Sequence, residues 1–195
     1  MGINRRDFIK QSTLGYAALI TTPQIMESRK NSMDGEILGH GNFKYRLRLG
    51  WGTQDASKFP VNNCHEMVQD QKGRLIMLGD EVKNNVLIYD RSGKLLDSWG
   101  HDYPGGHGLT LWNANGEEFL FITDVNHGKV FKTDLKGRVL MTIGHPSEVG
   151  GYEKSWAFKP TETAIGPDGT IYVADGYGSN YVLRYTKDGQ YIGKF

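Results

Sequence analysis

His65 and His107 stand at matching places in a recurring stretch of this sequence, each just ahead of an apolar, strand-like run, and Thr161 holds that place in a third copy. Two imidazoles from neighbouring repeats that face a common axis could donate to a metal ion, which takes neutral ring nitrogens. Such a pair at strand starts is more often hydrogen-bonded structure than metal ligand. Tyr177, in the run Ala174-Asp175-Gly176-Tyr177-Gly178, reads by itself as packing at the mouth of the third repeat, one of ten tyrosines in the chain. His127 and His145 fall on loops and read as solvated. Trp51, Trp99 and Trp156 read as aromatic groups buried between repeats.

These residues need a frame, and the frame is repetitive. Lys72-Gly73-Arg74-Leu75-Ile76-Met77-Leu78-Gly79-Asp80, Phe121-Ile122-Thr123-Asp124 and Asp168-Gly169-Thr170-Ile171-Tyr172-Val173-Ala174-Asp175 align. Asp80 and Asp124 are 44 residues apart, as are Gly93 and Gly137. From the aspartate to the next turn glycine the spacing is 13, 13 and 14 residues, the third copy displaced by an insertion at 145–158. Each copy predicts four short strands joined by glycine turns (Gly73, Gly116, Gly169; Gly93, Gly137, Gly189). The aspartates read as structural, accepting backbone N–H groups of the following turn.

Four-stranded units of about 40–45 residues are propeller blades. The sequence therefore predicts an all-β chain with blades at about 62–100, 104–144 and 159–195, first strand innermost. Arg48-Leu49-Gly50-Trp51-Gly52 is similar to the strand ending Ser98-Trp99-Gly100 and is expected to be one closing outer strand. Three blades and one strand cannot close a ring, so the chain reads as part of a longer propeller. The division expected is 1–30 leader, 31–42 linker and 43–195 incomplete propeller.

Composition narrows the function classes. Formal net charge is +1, and residues 1–30 carry a surplus of +3 through Arg5, Arg6, Lys10, Arg29 and Lys30 against Asp7 and Glu27. The remainder is near neutral and offers no footprint for nucleic acid. Cys64 is the only cysteine, which excludes an internal disulfide and a cysteine-rich zinc module. Arg5-Arg6-Asp7-Phe8-Ile9-Lys10 precedes sixteen uncharged residues, Gln11 to Met26, too short and too dilute to span a membrane stably. That order resembles the bacterial twin-arginine signal, which implies export by the twin-arginine translocase to the periplasm or beyond. An ordinary basic amphipathic helix is the other reading.

Asp-Gly-x-Ile-Tyr-Val-Ala-Asp resembles the NHL repeat, whose propellers usually have six blades when complete. Gly106-His107-Gly108-Leu109, Ile122-Thr123-Asp124-Val125-Asn126-His127-Gly128, Lys159-Pro160-Thr161-Glu162 and Asp175-Gly176-Tyr177-Gly178-Ser179-Asn180 further resemble peptidyl-α-hydroxyglycine α-amidating lyase. The resemblance runs over about 60–195. It implies that His107 is one of three zinc-binding histidines, that Tyr177 is the base, and that calcium could be bound as well. His65 has no assigned part in it. It also implies a peptide or small-molecule ligand at the propeller mouth and C–N cleavage that releases glyoxylate. The chain departs from the pattern at Leu78-Gly79-Asp80-Glu81, where the lyases have an arginine, and it lacks the blades that hold the other zinc histidines. A non-catalytic ligand- or protein-binding propeller is the alternative.

Overall fold

The computed structural model describes residues 34–195; the twin-arginine stretch with Arg5 and Arg6 lies outside the described residues. The described residues fall into two units, 34–51 and Gly52–Phe195. In the first, strands β1 (Ile37–His40) and β2 (Phe43–Arg46) form an antiparallel hairpin. It begins inside the stretch read as a linker. The expected outer strand at Arg48–Gly52 is absent, because the Asp34 carboxylate captures the Leu49 N–H at 2.8 Å and Gly50 turns the chain at φ 66°.

The second unit is three four-stranded antiparallel sheets, each in chain order. Sheet I is β3 (Glu66–Gln69), β4 (Leu75–Leu78), β5 (Val86–Tyr89) and β6 (Leu95–Trp99). Sheet II is β7 (Gly106–Ala114), β8 (Glu117–Asp124), β9 (Lys129–Asp134) and β10 (Val139–Ile143). Sheet III is β11 (Glu162–Ile165), β12 (Ile171–Ala174), β13 (Val182–Tyr185) and β14 (Tyr191–Lys194). The repeat extends to irregularities: the third and fourth strands shift register at Ile88/Tyr89, Val139/Met141 and Arg184/Tyr185. One extra residue there bends each outer strand and increases its twist. The six turn glycines predicted from the sequence all have positive φ, and Asn115-Gly116, both at positive φ, closes the β7–β8 hairpin in two residues.

The alternation of β8 shows how the sheets stack. Leu120 and Ile122 join Ile76, Leu78, Val86, Ile88 and Leu109 in one core. Phe121, between them in sequence, joins Val130, Phe158, Ile171, Val173, Leu183 and Tyr185 in the next. Period-two side chains thus serve two interfaces, so sheet II is buried on both faces. Each such side chain contributes about 1.5–3 kcal/mol by leaving water. The first strands meet at the centre of the stack, with β7 between β3 and β11. No helix among the described residues is long and apolar enough to cross a membrane.

Candidate functional site

The ends of the inner strands bring His65, His107 and Thr161 together, as the repeat alignment places them. The Nδ1 of His107 lies 2.9 Å from the Thr161 carbonyl, which can only accept, so Nδ1 carries the proton. The Nε2 of His107 then has its lone pair free, and it faces the Tyr177 hydroxyl at 3.1 Å. Tyr177 reaches it edge-on from the loop after β12, with ring centroids 5.1 Å apart, and stays 63% exposed. A histidine and a tyrosine seventy residues apart thus share one hydrogen bond across two sheets.

His65 stands differently. Its ring stacks on that of His107, centroids 4.4 Å apart and planes 26° from parallel. Imidazole lone pairs lie in the ring plane, so stacked rings aim them side by side instead of at one point. A catalytic zinc takes three protein donors. The described residues hold no group of three His, Cys, Asp or Glu placed for a metal. The residues present therefore fit one share of such a centre, the Nε2 of His107, and not the whole.

Two carboxylates beneath the histidines carry no role in the sequence reading. Glu66 follows His65 and Glu162 follows Thr161, and the corresponding residue of sheet II is Gly108. A Cβ on Gly108 would lie 2.5 Å from the Thr161 carbonyl oxygen, so the glycine of His-Gly-Leu lets the neighbouring inner strand approach. Glu66 accepts the Leu109 N–H at 2.8 Å, and Glu162 accepts the Thr163 N–H at 2.7 Å and the Thr110 hydroxyl at 3.0 Å. Burial, and then the hydrogen bond to Glu66, push the Glu162 carboxyl up to about 7. The signal that would have found this pair is the repeat alignment read one residue further along.

The loop that carries Tyr177 is anchored by Asp175, which is fully buried. Its carboxylate accepts the Lys159 N–H at 2.6 Å, the Ser179 N–H and hydroxyl at 2.7 Å each, and the Tyr152 hydroxyl at 2.9 Å. Asp124 plays the same part in sheet II, accepting the N–H groups of Asn126 and His127 at 2.8 Å. His127 is exposed, with Nδ1 3.3 Å from Asp124. His145, expected to be solvated, instead pins the 145–158 insertion: Nε2 donates to the Trp156 carbonyl at 2.7 Å and Nδ1 accepts the Ser147 N–H at 3.1 Å. Trp156, expected between repeats, is 39% exposed because that insertion carries it to the surface.

No protein-family model matches the chain. It is 32% identical over 119 residues to the probable peptidyl-alpha-hydroxyglycine alpha-amidating lyase of Caenorhabditis elegans, an alignment covering 60% of this chain and 33% of that protein. It is 26% identical over 153 residues to NHL repeat-containing protein 3 of Homo sapiens, covering 74% of this chain and 44% of that one. Among solved structures, the virginiamycin B lyase of Staphylococcus aureus shares the fold, with a TM-score of 0.51 and 19% identity over 68% of this chain and 41% of that chain. The chain thus spans between a third and a half of the length of these curated relatives. With its repeated four-stranded sheets and these relatives, the chain is a β-propeller chain similar to NHL repeat-containing protein 3 and to the peptidyl-α-hydroxyglycine α-amidating lyases.

Proposed function

We propose that this chain is part of an exported lyase that cleaves the C–N bond of a peptidyl α-hydroxyglycine, leaving a peptide amide and glyoxylate. The observation that carries the reading is the pairing of His107 Nε2 with the Tyr177 hydroxyl, the other histidine nitrogen being fixed on a backbone carbonyl. A phenol beside a neutral imidazole can give up its proton and then take one from a substrate hydroxyl. In that step the substrate O–H bond breaks, the carbon–oxygen bond becomes a carbonyl, and the C–N pair of electrons leaves with the amide nitrogen. Tyr177, reprotonated, returns the proton to that nitrogen. His107 has a single Nε2 lone pair, which would hold a zinc ion in place of the tyrosine proton; that ion, when bound, would supply Lewis-acid polarisation of the substrate oxygen, with the Tyr177 proton passing to solvent, to which the tyrosine is exposed. Its Nδ1 contact with Thr161 is the kind of outer partner that fixes a ligating histidine. His65 supports the face of His107 by stacking.

The similarity to NHL repeat-containing protein 3 over a larger share of the chain favours a second reading, a propeller that binds a ligand or protein without turnover. Assay of the whole protein of which this chain is proposed to be part, on an α-hydroxyglycine peptide, separates the two. Tyr177→Phe should lower turnover by about 10²–10⁴-fold with bound zinc unchanged, and His107→Ala should lower both. Turnover that neither substitution alters, or no turnover at all, leaves the binding reading.

A further inference from the structure

Sheet III carries an insertion that the repeat does not require, and the insertion makes a pocket. Trp156 and Ala157 on one side and Gly178, Ser179 and Tyr181 on the other line a cavity of about 420 Å³. Gly178 directly follows Tyr177, so one wall of the cavity belongs to the loop that carries the residue proposed to handle the proton. Trp156 and Tyr181 present nearly parallel rings, planes 14° apart and centroids 6.2 Å apart. They remain 39% and 36% exposed, which leaves aromatic surface in water that a flat guest could cover.

The walls are held in place before any guest arrives. His145 fixes the Trp156 backbone at 2.7 Å, and Asp175 ties Ser179 to Tyr152 and Lys159. The Lys194 ammonium lies 4.8 Å from the Trp156 ring centre, 4.9 Å from that of Tyr181 and 5.0 Å from that of Tyr152. It also donates to the Gly151 carbonyl at 2.7 Å, stapling the insertion to the outer strand β14. A pre-set pocket avoids the cost of ordering side chains on binding. The same ammonium places a positive charge against the rings, which disfavours a cationic guest. A Cβ on Gly178 would lie 2.5 Å from the Ala157 carbonyl oxygen, so the two walls meet at a glycine that admits no side chain.

We propose that this pocket receives a neutral aromatic side chain of the peptide, that of the residue preceding the terminal hydroxyglycine. The inference rests on the lyase reading for which peptide enters, since one wall of the pocket, Gly178 and Ser179, belongs to the loop that carries Tyr177. The pocket itself is tested without turnover. N-acetyl-Phe-Gly and N-acetyl-Ala-Gly lack the hydroxyl and cannot be cleaved, so calorimetric titration of the full chain reads binding alone. The phenylalanine peptide should bind about tenfold more tightly, and Trp156→Ala should erase the difference. Circular dichroism checks the fold of that variant. Ala157→Leu, at an exposed position whose side chain would narrow the cavity, should erase the difference as well. Equal binding of the two peptides, or a preference that survives both substitutions, overturns the proposal. Cleavage of the corresponding α-hydroxyglycine peptide is measured separately: no cleavage with the phenylalanine preference intact sinks the lyase reading and upholds the pocket.

Discussion

Sheets I and III each carry an aspartate after the second strand and put it to different use: Asp175 directly follows β12, whereas Gly79 directly follows β4 and Asp80 comes one residue later. Asp80, only partly buried, accepts the side-chain amides of Asn62 at 2.9 Å and Asn63 at 2.8 Å, two contacts at the surface. Asp175, fully buried, accepts the four donors of Tyr152, Lys159 and Ser179 and so joins the 145–158 insertion to the loop of Tyr177. Sequence spacing aligns the two aspartates, but in the sheets Gly79 holds the place of Asp175, bonding Asn85 as Asp175 bonds Tyr181. What also differs is the insertion, which covers Asp175 and turns a turn-forming residue into the anchor of the candidate site. A buried acceptor with several partners is worth far more than an exposed one, because its loss strands each donor away from water.

That contrast can be broken by substitution. Asp175→Ala should cost about 3–5 kcal/mol, since it strands two backbone N–H groups and two hydroxyls, and should loosen the loop that aims Tyr177. Urea unfolding followed by circular dichroism measures it; a loss below about 1 kcal/mol would mean that the buried network holds without its carboxylate. Sheets I and III also meet across β7 at Glu66 and Glu162. The Glu162 carboxyl is raised in the fold to about 7 from an ordinary 4.5, so the folded state holds a proton through that window that the unfolded chain releases. Its contribution is fully present below about pH 4.5 and is lost as pH rises through about 7, so stability should fall over that range. Glu162→Gln, a permanently neutral isostere, should flatten that part of the stability profile, and an unchanged slope would show that the pair does not share a proton. Asp80→Ala is expected to have the smallest effect, under about 1 kcal/mol, because Asn62 and Asn63 remain in contact with water. A larger loss there would erase the distinction between the two sheets.

Much of the frame is legible from nearest neighbours in sequence. The Asn115-Gly116 turn, the alternation Leu120-Phe121-Ile122 and the spacing from Asp124 to Gly137 define strands and turns locally. His107 is singled out by the alignment of the repeats, and Tyr177 by the resemblance of Asp175-Gly176-Tyr177 to the lyase motif. Arg48–Gly52 misled because an apolar strand ending looks alike whether or not a partner strand exists; here the Asp34 carboxylate and the positive φ of Gly50 prevail over the extended preference. His145 and Trp156 misled because their partners are each other's loop neighbours, a closed contact that no periodicity announces.

By itself the sequence determined the all-β repeat, the turn glycines and the aspartates that close the second strands of sheets II and III, because these depend on spacing along a chain whose strands pair with their immediate neighbours. Tertiary structure alone decided what the side chains meet between sheets. It stacked His65 on His107 instead of converging their lone pairs, brought Glu66 and Glu162 together across Gly108, and set Trp156 against Tyr181 beside the candidate tyrosine. The physical reason is distance along the chain. Contacts between sheets join residues tens of positions apart, and their geometry is set by how two buried faces pack. An insertion of a few residues can shift that packing while leaving the repeat that surrounds it intact.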